Sequence, residues 1–218
     1  MVSRALEDYL KAVYELHRQY EVVPTTALAE RLELAPASVT GMAKKMAEMG
    51  LLTHQPYQGV VLSENGLSKA LRIIRIHRLA ELYMVRMLGI PWDRVHEEAE
   101  KWEHILSEDL EERIDTLLGR PVRCPHGSPI PAKDGTIATP PNHRLIELRL
   151  GQSAIIEEVD DRDEDLLRYF GELGLFPGVR ISVVRVAPAA SLIEITINGK
   201  GVSLGREAAD RIYVSVLE

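Results

Sequence analysis

Apolar residues recur at helical spacing through the first half of the chain and at strand spacing through its last third. The first periodic stretch predicts an amphipathic helix from Ser3 to Gln19, with one apolar stripe made of Leu6, Tyr9, Leu10, Val13 and Leu16. Two shorter helices are expected at Ala27–Leu32 and Ala37–Met49, because Pro36 suits a first helical position and Gly50 a helix end. Two short helices joined by a tight link are typical of a helix-turn-helix.

The residues after this pair predict a β-hairpin. The runs Leu51–Gln55 and Val60–Leu62 flank a turn at Pro56–Gly59, so the hairpin would be the wing of a winged helix. The turn contains no carboxylate that would repel DNA phosphates. The residues expected to face DNA lie on the second helix of the pair: Ala37, Ser38, Thr40, Lys44 and Lys45. A helical module that binds protein instead of DNA is the alternative.

Two longer helices follow, from Ser63 to about Leu88 and from Asp93 to Leu118, and proline and glycine end each of them. The first is apolar on two faces. One face is marked by Leu67, Leu71, Ile74 and Leu82, and the other by Ile73, Ile76, Ala80, Tyr83 and Met87. A helix of this kind must bury both faces, so we expect one to pack within the chain and the other to form a subunit interface.

Imidazoles and carboxylates lie on common faces of these two helices. His77 and Glu81 stand four residues apart, and the second helix has a stripe at offsets of zero, four, seven and eight, formed by His96, Glu100, Glu103 and His104. Such groups converging from helices are what a divalent metal ion requires. A solvated acidic face is the alternative. Cys124 and His126, in a loop rich in proline and glycine, are two further candidate ligands, although a lone cysteine is more often a small buried hydrophobe.

Beyond Arg144 the pattern becomes that of short strands. They are expected at Ala154–Ile156, Val179–Val186, Leu192–Ile197, Val202–Leu204 and Ile212–Leu217. Asn198-Gly199 is a strong hairpin-turn signal. Asp163–Leu173 is the one helix expected here, ended by Gly174. About five short strands with one helix predict a small β-barrel.

Composition narrows the class of protein. The net charge of −7 argues against a protein that coats polyanions, but the first 70 residues hold seven basic and eight acidic residues and so net only −1. A local DNA-binding face is therefore compatible with the charge. The single cysteine, Cys124, excludes an internal disulfide framework, and no apolar run approaches membrane-spanning length. We expect a cytoplasmic protein.

The winged helix, the two helices with candidate metal ligands and the terminal β-barrel follow one another along the chain. In this order they resemble the diphtheria toxin repressor family of metal-dependent transcriptional regulators. The matching stretches are EDYLKAVYEL, LAERLELAPASVTGMAKKMAEMGLL, HRLAELYM, VHEEAEKWEH and CPHGSPIP, of which VHEEAEKWEH is the most specific. The resemblance covers nearly the whole chain and implies a mainly α fold with a β C-terminal domain. It implies a winged helix-turn-helix DNA-binding domain at 1–70, a helical dimerisation and metal-binding domain at 71–141, and an SH3-like, FeoA-type β-barrel at 142–218.

The resemblance also implies two metal sites. The primary site would be formed by Asp8, Glu100, Glu103 and His104, with His77 near it as in the manganese-type members. Members that respond to ferrous iron have methionine and cysteine where this chain has Asp8 and Glu100. Three carboxylates and one imidazole form an oxygen-rich set that favours Mn²⁺.

Two versions of the secondary site occur in the family, and this chain contains most of both. In one manganese-responsive branch the site uses Glu81, Cys124, His126 and an aspartate of the barrel, here Asp160 or Asp161. In the iron-type branch it uses His77, Glu81 and His96 with a barrel glutamate and glutamine, which here fall at Arg162 and Asp165. We therefore favour the Cys124–His126 version.

The function implied is a manganese-dependent DNA-binding regulator, most simply a repressor of manganese-uptake genes, which binds a palindromic operator as a homodimer. A ferrous-iron-dependent repressor of the same family is the alternative. A metalloenzyme is the competing class, but the residues do not support it. Glu100 stands where the zinc-protease motif H-E-x-x-H needs its second histidine, and Lys101 stands where a di-iron Glu-x-x-His pair would need glutamate before His104.

Overall fold

The computed structural model describes residues 3–55, 57–187 and 191–217. The helices are α1 (Arg4–Leu16), α2 (Thr25–Leu32), α3 (Pro36–Glu48), α4 (Glu64–Leu88), α5 (Val95–Trp102), α6 (Glu108–Leu117), α7 (Glu164–Leu173) and α8 (Arg206–Asp210). The strands are β1 (Leu52–Gln55), β2 (Gly59–Leu62), β3 (His143–Arg144), β4 (Ser153–Val159), β5 (Arg180–Ala187), β6 (Leu192–Ile197), β7 (Lys200–Gly205) and β8 (Ile212–Leu217). Single 3₁₀ turns lie at Trp92–Arg94 and Leu145–Glu147.

The chain divides into two compact units. The first unit contains residues 1–77, 103–106 and 131–136, and the second contains residues 78–102, 107–130 and 137–218. Each unit has its own apolar core: one lies among α1, α2, α3 and the β1–β2 hairpin, and the other lies beneath the sheet of the C-terminal region.

The first unit holds the predicted winged helix-turn-helix. The apolar stripe predicted for α1 is buried at all five positions. Pro36 occupies the first turn of α3, and Glu33, in the left-handed region at φ 54°, ends α2. Val39 and Met46 of α3 are fully buried. β1 and β2 pair antiparallel from Leu52↔Leu62 to Gln55↔Gly59, which confirms the wing.

The two faces of α4 are not divided as the sequence suggested. Residues of both predicted faces, Leu71, Ile73, Ile74, Ile76, Ala80 and Leu82, are buried within the single chain. Only near its ends does α4 expose large apolar side chains: Leu67 (40%), Met87 (49%) and Leu88 (52%). The prediction that one long face of α4 is left for a partner subunit is therefore wrong, because the chain itself covers most of both faces.

The prediction of a second long helix is also wrong. The sequence predicted one helix from Asp93 to Leu118, but α5 ends at Trp102 and α6 begins at Glu108. Ser107 caps α6, since its side chain accepts a hydrogen bond from the Leu110 N–H, 3.3 Å away. Glu103 and His104 consequently lie in a turn, and the helical stripe does not continue beyond Glu100.

The C-terminal region forms one antiparallel sheet of six strands in the order β3-β8-β4-β5-β6-β7. The turn from β6 to β7 uses Asn198 (φ 49°) and Gly199 (φ 80°), the two left-handed residues that a tight hairpin turn of this kind requires. Asp163 caps α7 and Gly174 ends it, as predicted. The expectation of a single helix was wrong: the five residues of α8 are too few to give a periodic signal.

Across the described ranges, no helix combines the length and apolar character needed to cross a bilayer.

Candidate metal centres and DNA-binding face

One cluster of metal-ligating groups lies in the first unit, and we call Asp8, Glu103 and His104 the Asp8 centre. One ligand atom from each lies within 4.8 Å of the others. His104 Nε2 is 2.9 Å from Asp8 Oδ1 and 3.5 Å from Glu103 Oε1. α1 supplies Asp8, and the turn between α5 and α6 supplies the other two groups. Asp8 therefore meets two residues that lie 95 and 96 positions further along the chain.

Glu7 orients the imidazole of His104. Glu7 Oε2 lies 2.7 Å from His104 Nδ1, so Nδ1–H donates to this carboxylate and the Nε2 lone pair faces Asp8 and Glu103. Nε2 is buried, and among the described residues it has no partner with hydrogen-bond geometry, in spite of the short distance to Asp8. A histidine whose second ring nitrogen donates to a carboxylate is the usual arrangement at a metal. The cluster therefore fits a divalent cation.

Lys11 and His77 occupy the other side of Glu103. Lys11 Nζ lies 2.8 Å from Glu103 Oε2 and 3.1 Å from His77 Nδ1, and His77 Nδ1 also contacts Glu103 Oε2. All three side chains are buried. Burial opposes ionisation of Glu103, but His77 and Lys11 outweigh it and lower the pKa of its carboxyl. Burial raises the pKa of Asp8, against the opposing charge of His104.

A second cluster lies in the second unit, and we call Glu81, Cys124, His126 and Asp161 the Cys124 centre. Ligand atoms of the first three lie within 4.8 Å of one another. His126 Nδ1 is 3.6 Å from Glu81 Oε1 and 3.5 Å from Asp161 Oδ2. Glu81 comes from α4, Asp161 follows β4, and Cys124 and His126 come from the loop between α6 and β3.

The ring of His126 is held in place from its other side. Its Nε2–H donates to the Trp92 carbonyl at 2.8 Å, and the two rings lie 5.5 Å apart. Nδ1 is then the ligand atom; it is buried and has no hydrogen-bond partner within the described part of the chain. Trp92 is itself fixed by Phe176, with ring centroids 4.8 Å apart. The donor set of thiolate, imidazole and carboxylates suits a divalent transition metal.

His96 borders this centre. Its Nδ1 lies 3.4 Å from Glu81 Oε1 and its Nε2 lies 3.5 Å from Glu100 Oε1. Burial opposes protonation, but hydrogen bonds with Glu100 and Glu81 raise the pKa of His96 to about 10. Burial opposes protonation of His126 as well, and Glu81 raises its pKa well above the usual value. Burial, then Glu81, raises the pKa of Cys124. Metal binding must therefore displace protons from this centre.

Asp160 and Asp161 have different partners. Asp160 accepts hydrogen bonds from Arg162 Nε at 2.8 Å and from Arg211 at 2.7 Å. Burial opposes its ionisation, but the two guanidinium groups lower the pKa of Asp160 to about 2. Asp161 is the one whose carboxylate approaches His126.

The predicted DNA-binding residues share an exposed surface of α3. Ala37, Ser38, Lys44 and Lys45 are exposed and Thr40 is half-buried, with its hydroxyl donating to the Pro36 carbonyl at 2.9 Å. A cleft of about 450 Å³ separates α3 from the wing and is lined by Thr40 and Lys44 together with Pro24, Thr25, Thr26, His54, Gln55, Tyr57, Gln58 and Gly59. None of these ten residues is acidic, so the cleft is suited to phosphate groups.

Family models describe the whole architecture. The model of the iron-dependent repressor N-terminal DNA binding domain matches residues 1–60, and that of the iron-dependent repressor metal binding and dimerisation domain matches residues 63–132. The iron-dependent repressor IdeR of Mycobacterium leprae is 33% identical in an alignment of 221 positions, which covers 95% of this chain and 95% of its own. The chain belongs to the iron-dependent repressor family.

Other iron-dependent repressor relatives extend the comparison. A FeoA domain model matches residues 143–216. The diphtheria toxin repressor of Corynebacterium glutamicum is 30% identical over 223 residues, covering 97% of this chain and 96% of its own. The family consists of DNA-binding transcriptional repressors, not enzymes, so the predicted resemblance, fold class and non-enzymatic role are confirmed.

Solved structures of the iron-dependent repressor family superpose closely on this chain. A manganese-dependent transcriptional repressor in complex with manganese has a TM-score of 0.91 at 38% identity, covering 97% of this chain and all of its own. ScaR with bound Zn²⁺ has a TM-score of 0.83 at 34% identity, covering 96% of this chain and 98% of its own. IdeR of T. acidophilum has a TM-score of 0.80 at 28% identity, covering 100% of this chain and 99% of its own. This chain is thus a metal-dependent repressor of the family, whose relatives are named for both iron and manganese.

The structure brings together most of the metal ligands predicted from the sequence. Asp8 lies with Glu103 and His104, whereas His77 lies with Lys11, and Glu100 contacts His96 instead. Sequence reasoning missed Glu7, Lys11 and Trp92. Glu7 could have been found from the sequence, because it is an acidic residue next to the predicted ligand Asp8. Nothing in the sequence pairs Lys11 with Glu103, or the Trp92 carbonyl with His126.

Gly127 fixes the Cys124 loop of this repressor against β4. Its φ is 92°, and a Cβ atom there would lie 1.9 Å from the Glu157 carbonyl oxygen. The adjacent His126 carbonyl accepts a hydrogen bond from the Val159 N–H at 2.9 Å. We expect Gly127→Ala to displace the loop and to weaken metal binding at the Cys124 centre by about 10- to 100-fold, as loss of an orienting contact does.

Gly135→Ala is the matched control, because Gly135 has a similar φ of 86° but no atom within 4 Å of the added Cβ. Metal titration of both variants separates the steric clash from backbone strain. Equal metal affinity in the two variants would show that the contact with Glu157 does not position the loop.

Proposed function

We propose that this protein is a manganese-dependent repressor that binds a palindromic operator as a homodimer. The observation that carries the metal assignment is the donor set of the Asp8 centre. Two carboxylates and one imidazole converge there, and the imidazole is oriented by Glu7. Hard oxygen donors suit Mn²⁺ and give no soft-ligand advantage to later metals. The similarity of this chain to a manganese-dependent repressor solved with manganese also supports manganese.

Ferrous iron is the second candidate, favoured by the relatives that are named iron-dependent repressors. The ligands we assign to the primary site are Asp8, Glu103 and His104, with Glu100 and His77 as the further residues predicted there. For the secondary site we assign Glu81, Cys124, His126 and Asp161, with His96 as a neighbour and Asp160 in a structural role. The domain boundaries remain 1–70, 71–141 and 142–218, and the place of action is the cytoplasm.

Control of DNA binding follows from which segments supply the ligands. Asp8 belongs to α1, which packs with α2 and α3 in one core, while Glu103 and His104 belong to a turn continuous with α5 and α6. Asp8, Glu103 and His104 would hold a divalent ion, which would supply positive charge between α1 and the turn. Without a metal, the Lys11 ammonium compensates the charge of Glu103, and the imidazoles of His104 and His77 lie against the carboxylates of Glu7, Asp8 and Glu103. Anchoring α1 restricts the movement of the recognition helix α3.

A dimer needs a fixed distance between two recognition helices, because half-sites lie about 34 Å apart along the operator. The exposed apolar side chains of α6, Leu110 (46%) and Leu117 (59%), are seven residues apart and share one face. We assign them to the subunit interface in place of a long face of α4. Small side chains on α3 leave part of the specificity to DNA shape.

The proposed function is tested by titrating a DNA duplex, selected from a random-sequence library in Mn²⁺, with the protein in buffered Mn²⁺, anaerobic Fe²⁺, Zn²⁺ or chelator. We expect Mn²⁺ to tighten binding by about 5- to 150-fold, the usual range of coupling between two sites. Removing both Lys44 and Lys45 should lower the salt slope by roughly two, whereas Lys200→Ala should not change it.

Equal affinity in chelator and in Mn²⁺ would reject metal control. A larger effect of Fe²⁺ than of Mn²⁺ at matched free-ion concentration would replace manganese by iron.

A further inference from the structure

The side chain of Lys11 is a cation held inside the ligand cluster of the first unit. α1 places Lys11 three residues after Asp8, so the two side chains leave the helix on the same face. Lys11 is only 6% exposed, and its Nζ lies 2.8 Å from Glu103 Oε2 and 3.1 Å from His77 Nδ1. An ammonium group is rarely buried unless a charged partner compensates it. Here its partners are two groups of the kind that bind metals.

The two oxygens of Glu103 face different groups. Oε2 is used by Lys11 and His77, while Oε1 is directed towards His104 Nε2, 3.5 Å away. The nitrogen of His77 that faces the cluster, Nδ1, contacts both Lys11 and Glu103. The three groups that can share one ion here are Asp8, Glu103 and His104. The ammonium of Lys11 thus occupies Glu103 Oε2 and His77 Nδ1, the two atoms through which these residues would otherwise extend the Asp8 centre.

We propose that Lys11 is a tethered cation that limits the Asp8 centre to one metal ion and keeps His77 Nδ1 out of the ligand set of that centre. The inference rests on the metal centre of the proposed function. Lys11 compensates Glu103 when no metal is bound, and it repels a bound ion across the shared carboxylate. The residue therefore sets the affinity of the centre below what its carboxylates alone would give, and so sets the metal concentration at which the centre fills.

The test is Mn²⁺ binding, without DNA, by a His126→Ala protein that lacks a ligand of the Cys124 centre. One ion per chain is expected at the Asp8 centre. Adding Lys11→Met, which keeps the length of the side chain and removes its charge, should tighten Mn²⁺ binding by at least about tenfold. The metal-free Lys11→Met protein should unfold at a lower temperature and gain more thermal stability from Mn²⁺ than the Lys11 protein.

Three further variants make the result specific. Lys11→Arg keeps the charge and should keep the original affinity, and Lys200→Met removes a charge from exposed β7 and should change nothing. Lys11→Gln, whose amide still donates to Glu103, is the neutral variant to use if Lys11→Met does not fold. If Lys11 were purely structural, the same variants would also lose stability, but their Mn²⁺ affinity would fall instead of rising.

Unchanged or weaker Mn²⁺ binding after neutralising Lys11 would overturn the inference, as would two ions per chain in a protein that carries both His96→Ala and His126→Ala. A His126→Ala protein that binds no Mn²⁺ at all would overturn the metal centre itself, and the inference with it. The two failures are thus distinguishable.

Discussion

Replacing Glu103 with alanine is expected to abolish metal binding at the Asp8 centre and to destabilise the protein. Glu103 is 4% exposed and contributes one oxygen to the Asp8–His104 cluster and the other to Lys11 and His77. Removing it deletes a predicted ligand, so metal affinity should fall by more than the roughly 100-fold that loss of an outer-shell partner causes. It also removes one carboxylate partner of the buried Lys11 ammonium, which costs up to about 3–5 kcal/mol.

Glu103→Gln separates the two effects, because the amide retains the shape of the side chain. Glu98→Ala is the control: Glu98 pairs with Lys101 at 2.6 Å, but both side chains are about half exposed, and such pairs contribute little. Metal titration together with denaturant unfolding in chelator gives both quantities. Wild-type metal affinity in Glu103→Ala would remove this residue from the centre.

The pH dependence of the stability of the wild-type protein follows from the lowered pKa of Glu103. A carboxyl group with a folded-state pKa below its usual value of 4.5 stabilises the protein fully above that value. The contribution is lost as pH falls through the folded-state pKa. Wild-type stability in chelator should therefore fall in acid more steeply than that of Glu103→Gln.

Asp160→Asn is expected to lower stability, whereas Asp161→Asn is expected to weaken metal binding, although the two residues are neighbours. Asp160 is held by Arg162 and Arg211, and its pKa is lowered from 3.8 to about 2. Its ionised form therefore stabilises the protein above pH 3.8, and this contribution disappears as pH falls towards 2. The two arginines are 41% and 45% exposed, so screening leaves about 1–2 kcal/mol at neutral pH.

Asp161→Asn should instead weaken metal binding at the Cys124 centre and leave stability nearly unchanged, because this carboxylate lies 3.5 Å from His126 Nδ1. Each variant is the control for the other. Unfolding in urea at pH 7 and at pH 3, with metal titration of the folded proteins, measures both effects. Loss of metal affinity in Asp160→Asn and not in Asp161→Asn would reverse the assignment.

Local sequence signals located most of the secondary structure. The α1 stripe, Pro36 at the start of α3, Asn198-Gly199 between β6 and β7, and the caps of α7 all act within a few residues. The break between α5 and α6 was missed because the polar stripe from His96 to His104 has helical spacing, and that spacing outweighed the cap at Ser107. The subunit face was misassigned because apolar periodicity shows that a face is buried and does not show what covers it.

The sequence by itself determined the order of the three regions, the family and the identity of most candidate ligands, because each depends on residue type and short-range spacing. The tertiary structure decided how those ligands are grouped. It placed His77 against Lys11 and Glu103 and not in the group of three that can share one ion. It also placed Asp161 and not Asp160 near His126, and gave Lys11 two partners 66 and 92 residues away. Such groupings depend on where distant segments pack, and a contact between distant residues leaves no periodic trace in the chain.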